Sequence, residues 1–301
     1  MQANLPSRTA LVTALIRSLH ARADPHPILV DEWGDKLVPD SVRDRIAERA
    51  VQETGVAHAS KAQAVDAWLH SNPAYARVIA RSRYTEDSLA AAVAAGTRQY
   101  VLVGAGLDSY ALRVPANAQD ISIFEIDHPA TQAYKLERIA QCGLEPPSRA
   151  QFLAADLGVE TVEQVLARST FDRTQRAFFS WLGVTMYLTR EANLACLGSI
   201  ARAAAPGSEL VFTYIDQAAF AVDSGESGGV FTQMQRRVAS VGEPFLSGFD
   251  PSALADELLC LGLQVQEDLG NRQLLRRFDP QGISGLSGDG GYGRIAKVRR
   301  L

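Results

Sequence analysis

Two glycines one residue apart, Gly104 and Gly106, close the apolar, β-branched run Tyr100-Val-Leu-Val103, and Asp127 follows 21 residues after the second of them. Glycine lets the backbone turn tightly and pass close to a ligand, so the pair reads as the turn at the carboxyl end of a parallel strand, with a helix expected next to offer its free amides. Asp127 ends a second apolar run, Ile123-Phe-Glu125-Ile-Asp127, where a carboxylate can accept hydrogen bonds from both hydroxyls of a ribose. Alternation puts Glu125 on the same side, so either could serve, and Asp127 is nearer the end. A third run ends in Ala154-Ala-Asp156-Leu157, which pairs an acceptor for an exocyclic amine with an apolar surface for a purine ring. A dinucleotide fingerprint would place a third glycine three residues after Gly106; Ser109 stands there. The chemistry indicated is recognition of an adenosine ligand that carries no diphosphate.

These residues need a sheet to bring them together. Strand-like runs at 100–103, 121–126, 151–154, 177–181 and 209–214 alternate with helical segments at 129–140, 159–168 and 190–205, the pattern of a parallel sheet with helices on both faces. Two further runs, 263–267 and 293–299, follow a helix expected to start at Asp250-Pro251 and end near Gly262, and are separated by a short helix and a Gly-rich loop at 282–293. The last strand is expected antiparallel. Residues 1–96 read as an all-helical preface: helices over 9–21, from Asp40 (Asp40 or Ser41 as cap), over 61–69, 73–81 and 85–95, with Gly96 closing the last. Residues 97–301 form the α/β core, and 217–249 read as an insertion over the active side.

The chain of 301 residues is 47% hydrophobic and 21% charged, enough to bury a large core. A net charge of −4 argues against nucleic acid as the main partner. Cys142, Cys196 and Cys260 lie far apart, without zinc spacing or the count of a disulfide framework, which points to a reducing, cytoplasmic setting and no metal. The apolar stretch 9–16 is short and broken by Arg17, a packed helix rather than a leader, and no run reaches the roughly 18 apolar residues of a membrane span.

Several segments together resemble the leucine carboxyl methyltransferase family of class I S-adenosylmethionine-dependent methyltransferases: Ala80-Arg-Ser-Arg-Tyr84, Val103-Gly-Ala-Gly-Leu-Asp-Ser-Tyr-Ala-Leu-Arg113, Phe124-Glu-Ile-Asp-His-Pro129 with Lys135 downstream, Ala155-Asp-Leu157, and Leu182-Gly-Val-Thr-Met-Tyr-Leu188. They span residues 75 to 215. The resemblance implies a Rossmann-like, mostly parallel seven-stranded sheet with an antiparallel last strand and a helical N-terminal cap. It implies S-adenosyl-L-methionine as cofactor, with Arg81 on its methionyl carboxylate, Gly104 beside the methionine moiety, Asp127 on the ribose, and Asp156 with Leu157 on the adenine. One position departs: many family members carry a glutamate before the glycine of the last motif, and Leu182 stands there. The expected activity is O-methylation of a small-molecule carboxylate or hydroxyl. A carboxylate needs no general base, and the sequence offers no obvious one, so no catalytic residue is named; Trp181, Met186 and Tyr187 read as packing residues, with Tyr187 able to touch substrate. The competing readings are a nicotinamide-dependent oxidoreductase on the same sheet and a non-catalytic adenosine-ligand sensor.

Overall fold

Seven short strands make one sheet: β1 (Gln99–Val103), β2 (Ser122–Asp127), β3 (Ala150–Ala154), β4 (Ala177–Trp181), β5 (Glu209–Ile215), β6 (Leu263–Gly270) and β7 (Gly293–Arg300), in the order β3-β2-β1-β4-β5-β7-β6. β7 is antiparallel to both of its neighbours, and the pairs from β3 through β5 are parallel. This computed structural model describes residues 7–56, 58–221, 225–239, 242–286 and 291–301, so parts of the expected insertion (222–224, 240–241) and of the Gly-rich loop (287–290) lie outside the described residues. Strand order reverses between β1 and β4. Ligands of such sheets bind at that switch, beyond the carboxyl ends of the two strands, which is where Gly104 and Gly183 sit.

Alternate residues of the central strands feed two cores. Val101, Val103, Phe179, Trp181 and Phe212 pack on one face beneath α7 (Val162–Ala167), α8 (Arg190–Ala203) and α10 (Leu254–Cys260). Tyr100, Leu102, Phe178 and Val211 pack on the other against α5 (Tyr75–Ala94) and α11 (Asn271–Phe278). A third core joins α1 (Arg8–Ala23), α3 (Asp40–Thr54), α4 (Lys61–His70) and the first turns of α5, with α2 (Trp33–Leu37) against α1.

Three local expectations need correction. The two helices expected over 73–81 and 85–95 are one 20-residue helix, α5, because nothing between them breaks it. Ser82 and Thr85 donate their hydroxyls to the Val78 and Arg81 carbonyls inside the helix instead of capping a new one. The helix expected after the glycine turn is only a pair of 3₁₀ turns, Tyr110–Leu112 and Ala116–Ala118. Asp108 there accepts the Tyr110 amide, and Pro115 prevents a longer run. Helix starts also shift. α7 begins at Val162 under a Thr161–Gln164 capping box, α10 at Leu254 after a turn in which Asp250 bonds Ser252, and α3 at Asp40 itself with Pro39 at the cap. α6 (Pro129–Gln141) is capped by His128, whose side chain accepts the Ala130 amide.

The end of α1 is held by a buried polar cluster. His20 Nδ1 lies 2.6 Å from Asp24, its Nε2 accepts the Ile28 amide at 2.9 Å, and Tyr75 donates to Asp24 at 2.8 Å. Accepting at Nε2 requires the neutral ring. Burial lowers the His20 pKa below its ordinary 6.5, and the nearby Asp24 only partly offsets it. The unfolded chain therefore binds a proton here more readily than the folded one, and folding stability is full above pH 6.5 and falls as the pH drops below it. Melting temperatures measured from pH 7.5 to 5.5 are expected to decline along that limb, less steeply for His20→Gln. Identical slopes for the two proteins would refute the assignment.

Candidate active site

The floor of the site is the turn after β1. Gly104 and Gly106 have φ of +67° and +54°, and a Cβ on Gly104 would come within 2.6 Å of the Val184 side chain. The amides of Gly104 and Ala105 donate to the Ile126 carbonyl at 2.9 and 3.1 Å, and that of Gly106 to the Asp127 carboxylate. With these three amides engaged and no full helix beginning here, Gly104, Ala105 and Gly106 offer no free donor to a diphosphate. This is the structural reason to set aside a dinucleotide.

Asp127 reaches the mouth of β2. Besides Gly106 it accepts the His128 amide at 2.6 Å, which leaves lone pairs on both oxygens for a ligand. Burial raises its carboxyl above the ordinary value, and the two amides partly counter this. Glu125, the alternative from alternation, is not at the mouth. It is 1% exposed and ion-paired with the equally buried Lys135. Lys135, read only as part of a motif, thus neutralises a carboxylate beneath the site. Asp156 is exposed beyond β3 and accepts the Gly158 amide at 2.9 Å in a local turn; Leu157 next to it is half-buried.

Arg81 enters from the other side of the crevice. It lies midway along α5, where the cap core passes into the sheet core. Its guanidinium lies against the turn after β4, where a Cβ on Gly183 (φ +73°) would approach Nη1 to 2.8 Å. That turn is held by the Gly183 amide donating to Thr213 at 2.7 Å and by Thr185 donating to the Thr213 carbonyl at 2.7 Å. No acidic side chain pairs with Arg81 among the described residues. Burial, then the Arg77 and Arg17 charges, bring its pKa down to about 9.

Arg81, Gly104, Asp127, Asp156 and Leu157 all line one cavity of about 480 Å³. Leu182 lines it as well. A second cavity of about 370 Å³, enclosed by α1, α3, α5 and the segment after β5, meets the first at Thr9, Thr13, Arg81, Gly183 and Tyr187. Residues 242–249 return over both: Leu246 donates its amide to the Met186 carbonyl at 2.7 Å, and Glu243 accepts from Ser7 (2.9 Å) and Thr9 at the start of α1. The segment read as an insertion over the active side therefore contributes Met234, Val238 and Phe245 to the second cavity.

Sequence reasoning missed the clamp that fastens α1 to the floor. Arg17, 6% exposed, donates to Asp31 at 2.7 Å and to the Leu107 carbonyl at 2.7 Å, and Asp31 also faces Arg113 at 3.7 Å. Ser109, at the position of the absent third glycine, accepts from Arg113 at 2.8 Å. A charged residue inside an apolar helical stretch was the available signal for Arg17, and it reads equally well as the end of that stretch.

The β3-β2-β1-β4-β5-β7-β6 order with its antiparallel β7, and a cavity at the switch point, define a class I methyltransferase fold. The model of the leucine carboxyl methyltransferase family matches residues 10–201, and the chain belongs to that family. YktD of Bacillus subtilis, named provisionally as an S-adenosyl-L-methionine-dependent methyltransferase, is 31% identical over 277 residues, 89% of this chain and 90% of its own. A protein of Mycolicibacterium smegmatis with the same provisional designation is 28% identical over 286 residues, 94% of this chain and 92% of its own. Among solved structures, a protein of Thermobifida fusca provisionally described as a methyltransferase superposes with a TM-score of 0.60 over 98% of this chain and 95% of its own; at 16% identity this is likeness of fold. The protein is an S-adenosylmethionine-dependent methyltransferase. Among the described residues no helix is long and apolar enough to cross a membrane, and no cluster of side chains could hold a metal ion.

Proposed function

We propose that the enzyme methylates a carboxylate oxygen of a small organic acid. The observation that carries this reading is the second cavity, which joins the first at Thr9, Thr13, Arg81, Gly183 and Tyr187 and is lined by apolar side chains, five arginines and a few neutral polar groups, with no acidic residue among them. In the first cavity the side chains fit S-adenosylmethionine group by group. The Arg81 guanidinium, which has no acidic partner among the described residues, would hold its carboxylate, Gly104 would let the chain pass beside its methionine portion, Asp127 would accept from the ribose hydroxyls, and Asp156 with Leu157 would take the adenine. Residues 1–96 act as the substrate-side cap. S-adenosylmethionine held in the first cavity would supply a sulfonium methyl, which the acceptor oxygen would take as the carbon–sulfur bond breaks with its electron pair left on sulfur, to give a methyl ester and S-adenosylhomocysteine. A carboxylate is already deprotonated at neutral pH, so the chain has only to align it, which can be worth up to about 7–11 kcal/mol. A hydroxyl acceptor would need a base. Burial raises the Tyr187 pKa and keeps the phenol protonated, and the Glu243 oxygens already accept from Ser7 and Thr9. The three free cysteines support a cytoplasmic setting.

Transfer of a labelled methyl group to a panel of carboxylic acids, followed by mild alkali, tests the reaction. Esters release the label as methanol, and ethers and amines keep it. Label that survives alkali on every product would overturn the carboxylate reading. Asp127→Asn is expected to weaken S-adenosylmethionine binding about ten- to a hundredfold, the loss of charge-assisted bonds to a diol. Calorimetry giving an unchanged affinity would remove Asp127 from the site.

A further inference from the structure

Five arginines line the second cavity: Arg8, Arg45, Arg49, Arg77 and Arg81. They are not equivalent. Arg8 and Arg45 are exposed, and Arg49 is paired with Glu53. Arg81 borders both cavities and is assigned above to the cofactor. Arg77 lines the second cavity alone. It is half-buried, one helical turn before Arg81 on the same face of α5, and has no acidic partner among the described residues. Its position is built by its neighbours. The guanidinium lies 4.7 Å from the centre of the buried Tyr292 ring, and its stem occupies space that a Cβ on Gly293 would take, at 2.5 Å from Arg77 Cδ.

Two cations one turn apart on a helix repel each other. A chain that holds both without a carboxylate between them leaves two positive charges for two anionic ligands. Arg81 serves the one bound in the cofactor cavity, so Arg77 is left for the other. Most of the remaining lining is hydrocarbon, including Ile16, Ile46, Val78, Met234 and Phe245, with Thr9, Thr13, Asn72 and Tyr187 among its polar members. We infer that Arg77 and this cavity form the acceptor site for an amphipathic monocarboxylic acid, with the carboxylate on the Arg77 guanidinium and an extended apolar tail against α1, α3 and the side chains of Met234, Val238 and Phe245. The inference rests on the carboxylate reading above and adds the residue that recognises the acid and the character of its tail.

The test is calorimetric binding of octanoate and of octan-1-ol, its uncharged counterpart, to protein loaded with S-adenosylhomocysteine. Octanoate is expected to bind about ten- to a hundredfold more tightly than the alcohol, and affinity is expected to rise about three- to fourfold per methylene from hexanoate to decanoate. Arg77→Met should erase the preference for the acid, Arg77→Lys should keep part of it, and S-adenosylhomocysteine affinity should stay within about twofold in both, which also reports that the variants fold. Equal binding of acid and alcohol, an Arg77→Met variant that still prefers the acid, or an affinity independent of chain length would each overturn the inference. Octanoate held through Arg77 while no acid in the labelled-methyl panel gives an alkali-labile product would support this site and overturn the carboxylate-transfer reading instead.

Discussion

Arg81→Met is expected to weaken S-adenosylmethionine binding about thirty- to a thousandfold, the roughly 2–4 kcal/mol lost when one partner of a desolvated charge pair is truncated. The same substitution should leave the ligand-free protein as stable as the parent, or more stable. Both effects have one cause. Burial, then Arg77 and Arg17, hold the Arg81 pKa down at about 9, so at pH 7 the guanidinium is charged in a place that disfavours charge. A depressed pKa on a cation means that the charge costs folding free energy at neutral pH, and removing it returns that energy. An anionic ligand reverses the balance by supplying the missing counter-charge. The protein thus carries a destabilising cation until a carboxylate arrives. Calorimetry combined with melting curves, with and without ligand, reads both sides. A variant that melts well below the parent without ligand would mean that Arg81 is structural; one that binds the cofactor normally would remove it from the site.

Asp31→Asn is expected to destabilise the fold by about 3–5 kcal/mol, because it leaves Arg17 and, further off, Arg113 without their buried counter-charge. Asp31 is fully buried and accepts from Arg17 at 2.7 Å and from the Trp33 amide at 3.0 Å. Burial alone would raise its carboxyl; the Arg17 and Arg113 guanidiniums overcome that and hold it at about 2. Its share of stability is accordingly complete above about pH 4, the unfolded value, and is lost as the pH falls towards 2. Denaturant unfolding at pH 7 checks the size of the loss, and the acid limb of the stability curve should flatten in the variant. A change below about 1 kcal/mol would show that the clamp is dispensable. Since Arg17 also holds the Leu107 carbonyl, the variant should bind cofactor less well, through a floor that is no longer fastened to α1.

Much of this site was legible in the chain. Gly104, Asp127, Asp156 and Leu157 stand at strand ends and could be named from their place after apolar runs, and all four line the same cavity. The sheet was legible for the same reason: a two-residue period and turn residues leave local marks. Arg81 was accessible only through resemblance to a family. On a helix it is one arginine among several, and nothing local distinguishes a ligand-facing guanidinium from a solvated one.

What the sequence determined by itself is therefore what nearest neighbours along the chain decide: the strands, the glycine turn, the acidic residues at the strand ends, and, at Ser109, the loss of the dinucleotide fingerprint. Tertiary structure decided the rest, because it depends on residues far apart in sequence meeting in space. Only packing shows that α5 runs unbroken from the cap to the sheet and carries Arg81 to the junction of two cavities and Arg77 to the wall of the second. Only packing separates Glu125, neutralised by Lys135, from Asp127, which is open to a ligand. The Arg17–Asp31–Arg113 clamp joins residues up to 96 positions apart, from 17 to 113, and charge pairing at that separation has no signature in a one-dimensional pattern.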